Sequence, residues 1–247
     1  MNATSCLSNR FVFRLLLRGA FAAAILALWG AMPSLFQRAV GDEPAKVVIH
    51  EDFQSGASRW SPTDETKWKV DKLDSGNQVY HLLGVSKYQP PHRSPHSISL
   101  LKDVVVGDFE FTAKVQTLQS SRGHRDMCVI FGYQDPANFY YVHLGQATDD
   151  HANQIFVVDD APRIKISEKT TTGTPWKDAT WHTVKIVRRV SEGTIEIYFD
   201  DLAKPAMIAH DKRFAWGQIG LGSFDDMGMW DDVHIIGIKH SPTNKNR

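Results

Sequence analysis

Met127-Cys128-Val129-Ile130-Phe131-Gly132-Tyr133-Gln134-Asp135-Pro136-Ala137-Asn138-Phe139-Tyr140-Tyr141-Val142-His143-Leu144 reads as two β-runs joined by a short turn. Both runs are rich in β-branched and aromatic residues, which pack well on a pleated surface. Pro136 stands at the second position of Asp135-Pro136-Ala137-Asn138, where its fixed φ suits a type I turn. The stretch is therefore an antiparallel hairpin. Placing Gln134 opposite Phe139 sets the later pairs as Tyr133/Tyr140, Gly132/Tyr141, Phe131/Val142, Ile130/His143 and Cys128/Gly145. Side chains alternate with period two, so Met127, Val129, Phe131, Tyr133, Tyr140, Val142 and Leu144 share a core face. The other face collects Asp126, Cys128, Ile130, Gly132, Gln134, Tyr141, His143 and Gly145. Aromatic rings, titratable groups and bare glycines together suit a ligand groove better than bulk solvent.

Outward from this hairpin the same pattern recurs, and no stretch sustains an apolar period of 3.6 residues. Strands are predicted at Lys46–Phe53, Trp68–Leu73, Gln78–Leu83, Ser97–Leu101, Asp108–Leu118, Arg125–Gln134, Phe139–Gln146, Gln154–Val158, Arg163–Ser167, Trp181–Val190, Thr194–Asp200, Ala206–His210, Gln218–Ser223 and Trp230–Ile238. Asp74-Ser75-Gly76-Asn77 and Ser191-Glu192-Gly193 place Gly where a tight turn needs positive φ. Gly84–His96, broken by Pro90, Pro91 and Pro95, reads as a long loop. In the hairpin around Gly193, Val184, Ile186, Ile195, Ile197 and Phe199 share a core face, while Lys185, Glu196, Tyr198 and Asp200 form a solvated one. So many short strands at this spacing make an all-β, two-sheet antiparallel β-sandwich the economical solution, as one domain over 42–240 with a loose tail at 241–247.

The first forty residues differ in composition. Arg10, Arg14 and Arg18 precede an apolar run from Gly19 to Met32, followed by Ala39-Val40-Gly41, a small-residue site of the kind signal peptidase accepts. The run is short for a spanning helix, which needs about 20 residues. Residues 1–41 are read as a cleaved signal peptide with a mature start near Asp42, and an uncleaved anchor is the alternative. The reading implies a secreted or cell-envelope (periplasmic) protein with no membrane insertion after cleavage. Cys6 lies in the leader, which leaves Cys128 alone, so the mature domain cannot form an internal disulfide. Lys and Arg total 28 against 28 Asp and Glu, with no block of like charges, which sets nucleic acid aside as a partner.

Several segments taken together resemble a known group: Glu51-Asp52-Phe53 with Trp60, Phe109-Glu110-Phe111-Thr112-Ala113-Lys114-Val115, Phe131-Gly132-Tyr133-Gln134-Asp135-Pro136, Trp181-His182-Thr183-Val184-Lys185, and Gly217-Gln218-Ile219-Gly220-Leu221-Gly222 before Asp231-Asp232-Val233. They are similar to concanavalin A-like, laminin G-like and 3-keto-disaccharide hydrolase-type domains. The resemblance implies a curved jelly roll that takes carbohydrate on its concave face. Where the hydrolase family carries an Asn-Ser-Gly-containing strand and a Tyr-Glu-Val-Gln-like one, this chain has Met127–Phe131 and Phe139–His143. The Glu-x-Asp-x-x-Glu strand of laminarinase-type glucanases is absent, its nearest imitation being Glu196-x-Tyr198-x-Asp200.

Glycoside hydrolysis needs two carboxyl groups across one sugar bond. Asp126 is the acid that the hairpin places on the polar face, and no partner for it is evident. A polysaccharide lyase would use a base such as His143 or Tyr141, with Arg125 or Asn153-Gln154 neutralising a uronate. Asp126, His143 and Tyr141 are thus the catalytic candidates. Binding asks for aromatic faces and planar polar groups, which Asp126, Gln134, Tyr141, His143, Asn153, Gln154 and Trp176 supply. His92-Arg93-Ser94-Pro95-His96, with His124 and His151, suggests a metal, but the loop is proline-broken and no Cys or clustered acid accompanies it. Structural calcium on Glu51, Asp52, Asp231 and Asp232 fits better, since these oxygen ligands meet if the first and last strands pair. No organic cofactor is implied. The expectation is a glycan-recognition domain binding an oligo- or polysaccharide. Its alternatives are a hydrolase or lyase and a scaffold for a protein partner.

Overall fold

A computed structural model describes residues 45–240. The leader, its cleavage near Asp42 and the tail 241–247 lie outside them. In chain order the strands are β1 Lys46–Glu51, β2 Trp60–Pro62, β3 Trp68–Lys72, β4 Gln78–Leu82, β5 Ser97–Leu101, β6 Val106–Thr117, β7 Met127–Asp135 and β8 Asn138–His143. They continue as β9 Gln154–Asp159, β10 Ile164–Lys165, β11 Ser167–Thr170, β12 His182–Arg189, β13 Thr194–Phe199, β14 Met207–His210, β15 Gln218–Ser223 and β16 Gly228–Lys239. Every predicted strand is present. The run expected at Arg163–Ser167 divides into β10 and β11, which join different sheets, and β2 is additional.

Two antiparallel sheets result. The nine-stranded sheet runs β11-β14-β13-β12-β6-β16-β4-β3, with β1 also on β16, and the seven-stranded sheet runs β10-β9-β8-β7-β15-β5-β2. Consecutive hairpins build much of each sheet, while β5 to β6 and β6 to β7 cross from one to the other. The core lies between them. Val184, Ile186, Ile195, Ile197 and Phe199 project inward from the nine-stranded sheet and Val129, Phe131, Val142 and Leu144 from the seven-stranded one, all in one buried cluster. On the outside of β12 and β13, Lys185 pairs with Glu110 at 3.3 Å and lies over the Tyr198 ring, which is the solvated face that alternation predicts.

The β7–β8 hairpin corrects one expectation. Asp135 faces Asn138 at the turn, as predicted, but farther along Phe131 faces Tyr140 rather than Val142, and Cys128 faces His143 rather than Gly145. The displacement is two residues, taken up by an irregularity over 132–134 in which Gly132 adopts φ +59°. A bulge re-aims side chains locally. Because the shift is even, Met127 to Phe131 and Tyr140 to Leu144 keep their predicted faces. Tyr133 does not: it packs outside the core, 5.4 Å from the Phe139 ring. Gly217 abuts the bulge, since a Cβ there would lie 2.1 Å from the Gly132 carbonyl carbon.

Candidate functional site

The outward face of the seven-stranded sheet is not the open polar groove that alternation suggests. Ile98, Cys128, Ile130, Phe139, Tyr141, Phe156 and Val158 form a second buried apolar cluster there. The loop between β4 and β5 is tied along this face. Ser86 donates its backbone N–H to Ser97 Oγ at 3.0 Å, and that hydroxyl donates to the Gly84 carbonyl at 3.1 Å. Tyr141, expected in the groove, is 0 % exposed, and burial pushes its hydroxyl well above the usual tyrosine range. It belongs to the floor beneath the site.

At one end of this face a cavity of about 430 Å³ opens. Val85, Arg93 and His96 come to it from the β4–β5 loop, Arg122, His124 and Asp126 from the approach to β7, and His143 from the end of β8. His151 and Arg163 flank β9, and Phe224 and Asp225 follow β15. Phe224 is the hub. Its half-buried ring lies 5.8 Å from His96, 5.8 Å from His143 and 6.0 Å from Tyr141, centroid to centroid. The Arg163 guanidinium carbon sits 4.9 Å from the Phe224 centroid and 4.4 Å from that of Phe156, and its Nη1 donates to the Tyr141 hydroxyl at 2.6 Å.

His143 is buried, and that burial, with Arg163 nearby, lowers its pKa to about 3. Its Nδ1 accepts the Asn153 backbone N–H at 3.3 Å. The ring is accordingly neutral and protonated on Nε2, which has no partner among the described residues and is the polar atom left for a ligand.

The acids are committed elsewhere. Asp126 is 4 % exposed and takes the Ser223 hydroxyl together with the backbone N–H groups of Phe224 and Asp226 at 3.2 Å and of Asp225 at 3.3 Å. Its own N–H donates to Asp226 Oδ2 at 2.8 Å. Burial first, then the neighbouring Asp225 and Asp226 carboxylates, pushes Asp126 up. Arg122 covers the group by pairing with Asp225 at 2.7 Å and with Asp226. Asp126 therefore clamps the turn that carries Phe224.

Of the residues singled out in the sequence, Asp126 and His143 line the cavity and Tyr141 lies under it through Arg163. The others are placed elsewhere. Gln134, within the irregular stretch, donates to the Trp216 carbonyl at 3.1 Å. Trp176 is a core residue whose indole N–H donates to the Leu144 carbonyl at 2.7 Å, with Phe199 at 4.8 Å. Asn153 and Gln154 are buried, and their amides serve the loop before them by donating to Thr148 Oγ1 at 2.6 Å and to the Asp149 carbonyl at 2.7 Å. Arg125, weighed as a uronate partner, is fully buried and turned toward Asp178 and the Gln119 carbonyl.

The first and last strands do pair, β1 on β16, yet the four acids assigned to calcium do not converge. Glu51 pairs with Arg59, Asp52 accepts the Gln54 backbone N–H, and Asp231 accepts from Asn77 at 2.8 Å. Asp232 turns to His50 at 3.1 Å and His234 at 2.9 Å because the bulge at Asp232, φ +49°, rotates it away from its neighbour.

Sequence reasoning missed Arg163, Arg122, Phe224 and Asp225. His96, His124 and His151 were noticed only as metal ligands and Arg93 only as part of their loop, and folding brings all four to this cavity. The one available signal was Phe224 itself, an aromatic residue directly after a glycine-rich strand and before two acids.

No family model matches the chain, and no curated protein matches it. Solved structures do. The carbohydrate-binding module CBM66 from Bacillus subtilis superposes with TM-score 0.50 at 17 % identity, over 71 % of this chain and 93 % of that one. Winged bean acidic lectin, complexed with methyl-alpha-D-galactose, gives TM-score 0.53 at 9 % identity, over 80 % and 100 %. The cellulose-induced protein Cip1 gives 0.51 at 14 %, over 76 % and 96 %. At such identities the likeness is one of fold. The chain has the two-sheet antiparallel jelly-roll sandwich fold of these structures.

Proposed function

We propose that the chain is a saccharide-recognition domain that seats its ligand against Phe224, in the cavity at the end of the seven-stranded sheet. The observation that carries this reading is the surround of that ring: an apolar platform bordered by His96, His143 and Arg163. Sugars offer C–H faces to an aromatic ring and hydroxyls to planar donors, and this site supplies both. The fold supports the reading, since it is also that of a carbohydrate-binding module and of a lectin complexed with a galactoside. Export is part of the same proposal and rests on the arginine-bearing leader before Asp42.

The arrangement favours binding over hydrolysis. A glycosidase sets two carboxyl groups on opposite sides of the scissile bond. Here Asp126, Asp225 and Asp226 cluster at one turn, and two of them are buried in its hydrogen bonds. A glycan array followed by calorimetry tests the proposal. The folded protein should bind at least one glycan, Phe224→Ala should weaken that binding by about tenfold or more, and no new reducing ends should appear. A folded protein that binds no glycan, or a Phe224→Ala variant that binds as well as the parent, would overturn it.

A further inference from the structure

On that reading, we infer that the ligand is an acidic saccharide, and that a uronic acid carboxylate is received by Arg163 and Arg93. The inference begins with the charges around the cavity. The chain as a whole is balanced, with formal net charge 0, but the cavity is not. Three guanidinium groups reach it. Arg122 is matched by Asp225 and Asp226. Arg93 and Arg163 have no carboxylate partner among the described residues, so two unpaired guanidinium groups remain for whatever enters.

Arg163 is also held in a fixed pose. Two aromatic rings lie against it and its Nη1 is spent on Tyr141, while Nη2 makes only a marginal 3.5 Å approach to the His151 carbonyl. A guanidinium positioned in this way loses little freedom when it pairs, and its planar fork matches a carboxylate in two parallel hydrogen bonds. The same ring that platforms the sugar, Phe224, is the one that braces Arg163, so a carboxylate on a pyranose packed there falls beside the guanidinium. His143 adds a neutral Nε2–H donor on the same border. A neutral sugar would leave both arginines unmatched in a partly desolvated cavity. A uronate matches them, and the cavity holds no free carboxylate to oppose it, since Asp225 is engaged by Arg122.

Calorimetry on the full chain with matched oligosaccharides tests the assignment. The probes are galacturonate, glucuronate and mannuronate oligomers, the galacturonate oligomer as its methyl ester, a neutral galactose oligomer and a sulfated galactose oligomer. At least one uronate oligomer should bind about tenfold or more tighter than its neutral counterparts, and added salt should weaken it. Arg163→Gln and Arg93→Gln should each remove most of that preference; Arg93 is exposed, so its variant keeps the test open if Arg163→Gln folds poorly. Methyl ester or neutral oligomers binding as tightly as the acids would overturn the inference while leaving saccharide recognition intact. Binding of the sulfated oligomer alone would overturn the carboxylate assignment. No binding to any member, on a panel extended to other glycans, would overturn saccharide recognition itself.

Discussion

The backbone N–H of Asn153 donates to His143 Nδ1 at 3.3 Å, a bond that fixes the tautomer of a histidine buried at the wall of the cavity. Asn153 reaches this position through a left-handed backbone, φ +52°, immediately before β9. The loop between β8 and β9 thus sets which nitrogen of His143 accepts from the backbone and which is left to the cavity.

This bond makes a prediction about acid stability. His143 titrates in the folded chain at about 3, against 6.5 for an ordinary histidine, because burial and then the positive charge of Arg163 oppose its protonated form. Between those values the unfolded state binds more protons than the folded one, so stability falls as pH falls from about 6.5 toward 3. The contribution of one such group approaches roughly 1.4 kcal/mol per pH unit across the window. His143→Gln removes it. Urea midpoints of the variant measured from pH 7 to pH 4 should decline less steeply than those of the parent, and parallel declines would mean that His143 accepts a proton while folded.

The second prediction separates Tyr141 from the ligand site. Leu144 lies in the central core and Tyr141 in the outer cluster, and both are 0 % exposed. Leu144→Ala should cost about 2–5 kcal/mol and Tyr141→Ala about as much or more. Tyr141→Phe keeps the ring and removes only the hydroxyl that accepts from Arg163, a loss of about 0.5–1.5 kcal/mol. Chemical denaturation of the three variants gives the order directly. A Tyr141→Ala variant as stable as the parent would restore the open groove that alternation alone suggests.

That difference marks where sequence pattern stops being informative. Alternation over Met127–Phe131 and Tyr140–Leu144 identified two faces correctly, because parity survives an even shift, but alternation cannot tell a solvated face from one covered by a distant loop. The segment brought beside this face is the proline-broken one before Ser97, some fifty residues upstream of Tyr141. Tyr133 was misplaced because Gly132 reads as an ordinary small residue until its positive φ is seen. Trp176 was counted as an aromatic face for a sugar, yet it folds inward and spends the indole N–H on the Leu144 carbonyl. Arg163 and Phe224 could not be paired from the sequence at all, since their meeting depends on β9 and β15 lying at different places in one sheet.

The third prediction concerns the bulge. Gly217 has no room for a side chain: its Cβ would stand 2.1 Å from the Gly132 carbonyl carbon and 2.3 Å from the Tyr133 nitrogen. Both are backbone atoms, which cannot turn aside as a flexible side chain would. Gly217→Ala should therefore push β7 from its neighbour and cost about 1–3 kcal/mol, as overpacking does. Gly76→Ala is a useful contrast, because nothing lies within 4 Å of a Cβ there and only its φ of +89° opposes the change. Thermal midpoints should fall in Gly217→Ala with a matching loss of near-ultraviolet signal from Tyr133 and Phe139, which the contrast should leave alone. An unchanged signal would mean that the bulge is not held by this contact.

The last prediction distinguishes a clamp from a catalyst at Asp126. If this carboxyl group works by holding the turn 223–226, what matters is an oxygen that accepts from Ser223, Phe224 and Asp226, and an amide oxygen in the same place can do that. Asp126 is also pushed upward by burial and by Asp225 and Asp226, so near neutral pH its uncharged form is favoured, and Asn resembles that form closely. Asp126→Asn should accordingly stay folded and retain ligand affinity. Asp126→Ala leaves buried N–H groups without an acceptor and should lose about 1–3 kcal/mol, with weaker binding as Phe224 shifts. The pH dependence adds a second handle. The unfolded carboxyl ionises near 3.8 while the folded one holds its proton to about 8, so the parent loses stability as pH rises through that interval and Asp126→Asn does not. The midpoint of the Asn variant relative to the parent should therefore climb between pH 5 and pH 8. Were Asp126 a general acid, Asp126→Asn would abolish a turnover measurable in the parent, and a screen that detected such turnover would displace the binding role argued from its hydrogen bonds.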